Sequence, residues 1–371
     1  MLRSIHYLRG LAALFVVFYH TRDSLAFPIG PIPNLGDFLF AQAYLGVDLF
    51  FIISGFVIVL STQKDKSLLS FISKRFFRIY PLYAFCLISV LMLSQQEYSL
   101  NQILRSFLII HANYSEAAPW FGYSILFVAW TISYEILFYA IFCAAMSFSH
   151  KYRIAISSMF IVATITIINF FCKGTASLDG YYALQNDYGV LRFLSSPMQY
   201  EFIAGMVIAY IYIHKDKLGF IRSWYPALSS IGIMYFILFY FGYCNGFGHG
   251  LSNAGLAAFM LVFSLLLIDI FSDIRESKAL TILGDVSYSL YMNQVVIFAL
   301  YPIAFATVAV NSVSVMIVKV SLIVTLSIVT YYYIEKPSII AARKIISLIS
   351  NKRNSVMTVA DLSINSIGNS K

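Results

Sequence analysis

Charge is scarce in this chain of 371 residues, because only 11% of them are Asp, Glu, Lys or Arg, against about 25% in ordinary globular domains. Hydrophobic residues make up 60%, and the mean hydropathy is +0.79. A soluble domain must cover its surface with polar groups, so this composition excludes a soluble enzyme and a disordered chain. Four cysteines in 371 residues are too few for a disulfide scaffold. The composition therefore predicts a polytopic membrane protein.

Apolar runs of about 20 residues divide the chain into candidate membrane helices. The stretch 99–112 is too short and too polar to span, and we expect an interfacial helix there. The predicted fold is all-α, with ten transmembrane helices at 7–26, 42–61, 79–95, 123–148, 154–172, 197–213, 224–243, 250–271, 283–306 and 313–334.

The distribution of Lys and Arg predicts the orientation of these helices. If the N-terminus is cytoplasmic, 20 of the 25 basic residues fall in inside segments, and one, Lys319, lies within the last span. Only Arg22, Arg105, Lys173 and Arg192 fall outside. We expect both termini to be cytoplasmic, and the net charge of +8 then reflects the inside bias rather than a nucleic-acid surface.

Motifs for metal or phosphate binding are missing: there is no CxxC pair, no Cys/His cluster with zinc spacing and no Gly-rich phosphate loop. We expect no metal and no nucleic-acid partner.

The sequence of residues 338–371 predicts a basic amphipathic segment followed by a disordered cytoplasmic tail. The first span also has features of a signal peptide, with small residues at Ser24 and Ala26, but the more favoured interpretation is a retained helix.

Two polar residues in the first span, Arg9 and His20, are the first functional candidates, since charged groups inside a bilayer are costly. Eleven residues make about three helical turns, so both side chains point to one face, roughly 16 Å apart along the axis. This geometry suits one long ligand held at its head by Arg9. The alternative interpretation is a snorkelling anchor for Arg9 and an interfacial position for His20.

His20 is the natural general base for deprotonating a hydroxyl near neutral pH. A deep histidine needs an acidic partner, and the candidates are Asp48, Glu135 and Glu201. Each carboxylate taken alone is equally well explained by an interhelical hydrogen bond or by contact with water.

A second cluster faces the cytoplasm in the segment KRFFRIYPLY, which contains Lys74, Arg75, Arg78 and Tyr80. Arg75 and Arg78 are three residues apart and share one helix face. Arginine binds phosphate in a bidentate manner, although ordinary positive-inside charge explains the cluster equally well.

Four glycines are expected to permit close helix contact: Gly46, Gly55, Gly205 and Gly284.

Taken in order, these segments resemble the acyltransferase-3 family of integral membrane acyltransferases. Each motif alone is weak, but six in the same order are specific, and they cover residues 1–337. The matching segments are Arg9 with His20; Gly46–Phe51 with Ser54–Phe56; Arg75, Arg78, Tyr80 and Pro81; Trp130, Ser133, Glu135, Phe138 and Tyr139; Gly284, Ser287, Tyr288, Leu290 and Tyr291; and Glu335–Pro337. The sequence around Glu135, TISYEILFY, is most similar to that of exopolysaccharide O-acetyltransferases.

The resemblance implies transfer of an acetyl group from acetyl-CoA, as co-substrate, to a sugar hydroxyl of a bacterial surface polysaccharide or its lipid-linked precursor. It implies a multi-pass protein of the bacterial inner membrane. His20 would act as the base, oriented by Glu135 or Asp48. Arg9 and the basic cluster Lys74, Arg75, Arg78 and Tyr80 would hold the CoA.

The acceptor side is expected to include Trp130, Tyr134, Glu201 and Gln294, with Trp130 and Tyr134 as donors to the oxyanion. The family often has a histidine after the motif at Ser287–Tyr291, where this chain has Asn293 and Gln294. That departure favours His20 as the base, and the role of the family histidine is either missing in this chain or taken by Gln294 as a hydrogen-bond donor.

Three other interpretations of the sequence are weighed against this one. A transporter or flippase would also use intramembrane charges, but the paired broken helices common in transporters are missing. A non-enzymatic subunit of a polysaccharide assembly machine is the second. An acyltransferase that uses another donor, such as succinyl-CoA, is the third, because donor selectivity depends on pocket shape.

Overall fold

A computed structural model describes residues 2–244, 246–304 and 312–349 of the chain, and this part is all-helical, as predicted. The α-helices are α1 (Arg3–Thr21), α2 (Leu35–Phe40), α3 (Gly46–Ser61), α4 (Leu68–Leu93), α5 (Leu100–Phe107), α6 (Ala129–Phe148), α7 (Arg153–Lys173), α8 (Leu191–Leu194), α9 (Gln199–Ile213), α10 (Tyr225–Tyr240), α11 (Ala254–Phe271), α12 (Lys278–Asp285), α13 (Ser287–Ala304) and α14 (Val313–Thr330).

Six helical segments in the described residues are long and apolar enough to cross a membrane. Each of the ten predicted spans overlaps a helix, while ten crossings and cytoplasmic termini stay predictions. The six segments are Leu35–Ser61, Leu68–Leu93, Ala129–Phe148, Arg153–Lys173, Ala254–Phe271 and Val313–Ile349.

Local sequence explains where several helices begin and end. The Ser67 side chain accepts a hydrogen bond from the Ser70 amide and caps α4. Ser99 forms a capping box with Gln102 at the start of α5, which at eight residues is too short to span a bilayer. Gly174 ends α7 in the left-handed conformation at φ 73°.

The predicted boundaries differ from the observed ones at two functional segments. Helix α4 begins at Leu68 rather than near residue 79, so the basic cluster lies inside the helix and not before it. Helix α6 begins at Ala129, and the residues from 123 to 128 form an irregular approach to it. Beyond α14 the chain stays helical to Ile349, and the rest of the predicted tail, 350–371, lies outside the described residues.

Glycines bring the central helices into backbone contact, as predicted. A Cβ atom on Gly55 of α3 would lie 2.2 Å from a carbonyl oxygen of α9, and one on Gly205 of α9 would lie 1.9 Å from a carbonyl oxygen of α3. Cβ atoms on Gly46 and Gly284 would each lie 2.4 Å from a carbonyl oxygen of α1. Helix α3 is therefore held tightly between α1 and α9, and its residues Asp48 and Ser54 are placed precisely.

Candidate active site

Arg9 joins α1 to the start of α13. Its Nε atom donates to Ser287 Oγ at 2.8 Å, and its Nη2 atom donates to the Gly284 carbonyl oxygen at 2.6 Å. These bonds hold the guanidinium group at the wall of a cavity between α1, α3, α4, α6 and α13. The predicted position of Arg9 at a binding site is thus consistent with the fold.

The cavity beside Arg9 also receives Arg75, Arg78 and Glu135, and it encloses about 760 Å³ including its open mouth. Three guanidinium groups line this one space, and arginine is the residue best suited to binding phosphate. Its remaining lining is Val47, Phe50, Phe51, Ile53, Ser54, Val57, Ile79, Thr131, Ile132, Tyr139, Ser287, Tyr288 and Tyr291.

Glu135 is held inside this cavity by two hydroxyl groups. Ser54 Oγ donates to Glu135 Oε1 at 2.7 Å, and the Tyr139 hydroxyl donates to the same oxygen. The guanidinium carbon of Arg75 lies 5.1 Å from the centroid of the Tyr139 ring. Glu135 therefore belongs to the cationic cavity.

Lys74 and Tyr80, predicted to hold the donor with the arginines, do not line this cavity. Lys74 Nζ lies 2.6 Å from Asp65 Oδ2. Burial raises the pKa of Asp65, but hydrogen bonds from Lys74 and neighbouring groups outweigh it and hold that pKa below its usual value. Tyr80 stacks on Phe76, with ring centroids 5.0 Å apart, in an apolar groove on the outer side of α4.

His20, near the other end of α1, is hydrogen-bonded to Gln294 of α13, with 3.0 Å between Nδ1 and Oε1. The Nε2 atom of Gln294 donates to the Tyr291 carbonyl oxygen at 2.8 Å, which fixes the direction of the amide. Oε1 must therefore accept, so Nδ1 of His20 carries the proton and Nε2 carries the lone pair. The prediction that Asp48 or Glu135 orients His20 is wrong, because Gln294 occupies that position. The role of Gln294 as a donor in place of the family histidine stays a prediction.

Tyr291 separates His20 from the cationic cavity. Its side chain lines the cavity, and its hydroxyl lies 2.7 Å from Thr131 Oγ1. Its backbone oxygen is the acceptor that orients Gln294. Tyr291 thus connects the cavity lined by arginines, through Gln294, with Nδ1 of His20.

Asp48 and Glu201 do not reach His20 because a loop between α10 and α11 occupies them. Asp48 Oδ2 lies 2.7 Å from His249 Nδ1. The amide of Gly250 donates to Asp48 Oδ1 and to Glu201 Oε1, at 3.1 Å in each case. Both carboxylates are fully buried and anchor this loop.

The two aromatic residues predicted to stabilise an oxyanion are placed differently. The Tyr134 hydroxyl is buried and donates to the Pro119 carbonyl oxygen at 2.9 Å, so it is not directed at His20. Trp130 faces His249, with ring centroids 5.5 Å apart. Neither residue is positioned as an oxyanion donor next to His20, since α6 turns both toward the α10–α11 loop and its neighbours.

His249 was missed by reasoning from the sequence. The only signal for it is its position between Gly248 and Gly250 in the segment GFGHGLSN. Within the described residues, no group of three or more His, Cys, Asp or Glu side chains is arranged to hold a metal ion.

Comparison with known proteins adds evidence of a different kind. Residues 2–332 match a family of acyltransferase domains. ORF330 of Acidianus two-tailed virus, which is named as an acetyltransferase, is 26% identical over 77% of this chain and 80% of its own length. The exopolysaccharide production protein ExoZ of Rhizobium meliloti (strain 1021) is 24% identical over 79% of this chain and 88% of its own. No solved structure matches the chain.

Proposed function

Because the chain belongs to the acyltransferase-3 family, we propose that it transfers an acetyl group from acetyl-CoA to a sugar hydroxyl in the bacterial inner membrane. The acceptor is a surface polysaccharide or its lipid-linked precursor. The names of the two relatives, an acetyltransferase and an exopolysaccharide production protein, support the transferred group and the acceptor class.

The observation that carries this proposal is the orientation of His20. Its Nδ1–H group is bound by Gln294 Oε1, and its Nε2 lone pair is available to take a proton. Tyr291 links the two places: its side chain lines the cavity with three arginines, and its backbone oxygen accepts from Gln294, which binds His20. This arrangement suits a long donor that is held at its phosphates by the arginines and directs its thioester end toward His20.

The proposed reaction is a single acyl transfer. His20 Nε2 takes the proton of the sugar hydroxyl as its oxygen attacks the thioester carbonyl carbon. A carbon–oxygen bond forms, the carbon–sulfur bond breaks, and the sulfur of CoA leaves and recovers the proton from His20. General base catalysis of this kind contributes about 10²–10⁴-fold to the rate.

The cavity suits the phosphates of CoA because Arg9, Arg75 and Arg78 converge on it. Arg9 is held by Ser287 and Gly284, so its guanidinium group is ordered before the donor arrives. An ordered binding group loses less conformational entropy on binding. CoA is cytoplasmic, and the predicted orientation of the chain places these arginines toward the cytoplasm.

The test uses membranes that contain matched amounts of each variant, supplied with radiolabelled acetyl-CoA and acetyl-free polysaccharide. We expect His20→Ala to lower transfer at least about 100-fold, and Arg9→Ala to raise the KM for acetyl-CoA. The half-buried residue His214 and the exposed residue Arg222 provide controls, as His214→Ala and Arg222→Ala. Wild-type transfer by His20→Ala would refute its role, and wild-type membranes without acetyl-CoA-dependent transfer would refute the function.

A further inference from the structure

An unbroken line of aromatic contacts leads away from His20 into the loop before α6. The His20 ring lies 4.9 Å from that of Phe127, and Phe127 lies 6.4 Å from Tyr123. Tyr123 stacks on Trp120 at 6.0 Å, and Trp120 meets Tyr181 edge to face at 5.6 Å. These rings come from three separate parts of the chain.

A second series of ring contacts leads from Tyr181 back to His20. Tyr181 stacks on His249 at 6.0 Å, and His249 meets Tyr44 at 5.0 Å. Tyr44 lies 5.9 Å from Tyr19, which lies 5.2 Å from His20. Eight aromatic side chains thus form a closed circuit, called here the aromatic circuit, at the end of the bundle opposite to Arg9.

The aromatic circuit contains four tyrosines, Tyr19, Tyr44, Tyr123 and Tyr181. The Tyr44 hydroxyl accepts from the Gly248 amide at 2.7 Å. Burial raises the pKa of Tyr181 to about 12, so its hydroxyl stays a donor at neutral pH. Tyr123 is 51% exposed and Tyr181 is 38% exposed, so this side of the circuit is open to an incoming ligand, while His249 and Tyr44 are buried beneath it.

His249 is presented to the aromatic circuit by a rigid loop. Nδ1 of His249 donates to Asp48, so its Nε2 atom is an acceptor. Gly248 and Gly250 adopt φ values of 118° and 100°, and a Cβ atom on Gly250 would lie 2.3 Å from the amide nitrogen of Gly180. Only glycine fits at these two positions, which explains why the loop needs them on either side of the histidine.

Two charged groups beside the aromatic circuit already have partners. Arg22 lies over the Tyr19 ring, but its Nε atom is 3.1 Å from Asp37 Oδ1. Asp48 accepts from His249 and from the Gly250 amide. The exposed part of the circuit offers ring faces and hydroxyl groups, which suit a neutral ligand that has an apolar face and several hydroxyls, and a pyranose ring has both features.

We propose that the aromatic circuit binds one pyranose ring of the glycan acceptor, stacked on Trp120 and Tyr181, while His249 Nε2 accepts a hydrogen bond from one of its hydroxyls. This site assignment rests on the proposed function, because His20 is itself a member of the circuit. The bound ring and His20 lie on the same circuit, so the hydroxyl to be acetylated belongs to this ring or to a neighbouring ring of the same glycan. Trp120, Tyr181 and His249 then decide which hydroxyl of the acceptor is acetylated.

The binding test uses the full chain in detergent and tritiated neutral tetrasaccharides of glucose, galactose and mannose, without acetyl-CoA. We expect at least one tetrasaccharide to bind, and Trp120→Ala to weaken that binding about fivefold or more. Trp224→Ala is the matched control, because Trp224 is 66% exposed and distant in the fold. Tyr181→Ser and the control Tyr243→Ser, at a residue 80% exposed, repeat the comparison if Trp120→Ala does not fold.

Two outcomes would overturn the inference: no tetrasaccharide binds the wild-type chain, or the Trp120 and Tyr181 variants bind as their controls do. Transfer assays on the same preparations separate this result from the proposed function. Transfer with an unchanged acceptor KM in Trp120→Ala would leave the function standing and remove the site. Saccharide binding without acetyl-CoA-dependent transfer would leave the site standing and remove the function.

Discussion

The Nδ1 atom of His20 lies 3.0 Å from Oε1 of Gln294, although the two residues are 274 positions apart in the chain. An amide performs here the orienting task that a carboxylate performs in many His-dependent enzymes. Because an amide has no net charge, it fixes the tautomer of His20 without adding a buried negative charge to the bundle.

Replacing Gln294 with Leu should lower kcat about 10- to 100-fold, because His20 would lose the acceptor that fixes its tautomer. The KM for acetyl-CoA should change little, since Gln294 does not line the arginine cavity. Gln294→Glu keeps an acceptor for Nδ1 and should recover most of the rate. Initial rates at varied acetyl-CoA measure both constants. The exposed residue Gln185 supplies the control Gln185→Leu, and equal kcat in the two Leu variants would contradict the positioning role.

Glu135→Leu should destabilise the protein by about 1–3 kcal/mol, because the hydroxyls of Ser54 and Tyr139 would lose their common acceptor. Glu135→Gln retains a carbonyl oxygen at that place and should cost less. Thermal unfolding of the purified protein in detergent measures the difference. Glu97→Leu, at an exposed position, is the control. If both Glu135 variants unfold at the wild-type temperature, the hydrogen bonds are not stabilising.

Gly205→Ala should destabilise the bundle by about 1–3 kcal/mol or more, because the new methyl group would lie 1.9 Å from a carbonyl oxygen of α3 and force α3 and α9 apart. Gly219→Ala is the matched control, since no atom lies within 4 Å of the corresponding methyl position. The yield of folded protein and its unfolding temperature measure the effect. Equal stability of the two alanine variants would show that the α3–α9 contact adjusts freely.

Acid should destabilise the loop that carries Trp120. Burial, helped by the charge of Arg105, lowers the pKa of His111 to about 4, while its Nδ1 atom lies 3.1 Å from the Trp120 carbonyl oxygen. A group with a lowered pKa in the folded state contributes stability above its unfolded pKa of about 6.5. That contribution is lost as the pH falls toward the folded value, and the loss between pH 7 and pH 5 is about 2 kcal/mol.

The His111→Phe variant removes this titration and keeps an aromatic ring beside Phe193, whose centroid is 4.7 Å from that of His111. Its unfolding temperature should therefore depend less on pH than that of the wild type. The half-buried residue His214 provides the control His214→Phe, which should keep the wild-type dependence. The same pH dependence in all three proteins would assign the acid sensitivity to other groups.

Much of the fold and part of the site are readable from the sequence because they depend on local properties. Apolar runs predict helices wherever they occur, and the spacing of Arg75 and Arg78 predicts that they share a face. Both lie in one cavity with Arg9. Boundaries are less predictable: the basic cluster lies inside α4 because the helix extends to Leu68 through a polar segment.

The sequence by itself determined the membrane class, the helical fold and the few polar residues available for chemistry, because composition and periodicity act along the chain. Only the tertiary structure decided how those residues are paired. It places His249 within hydrogen-bond distance of Asp48, which is 201 positions away in the chain, and it pairs Gln294 with His20. No pattern along the chain specifies these pairs, since they depend on which helix faces meet, and close packing of α1, α3, α9 and α13 settles that.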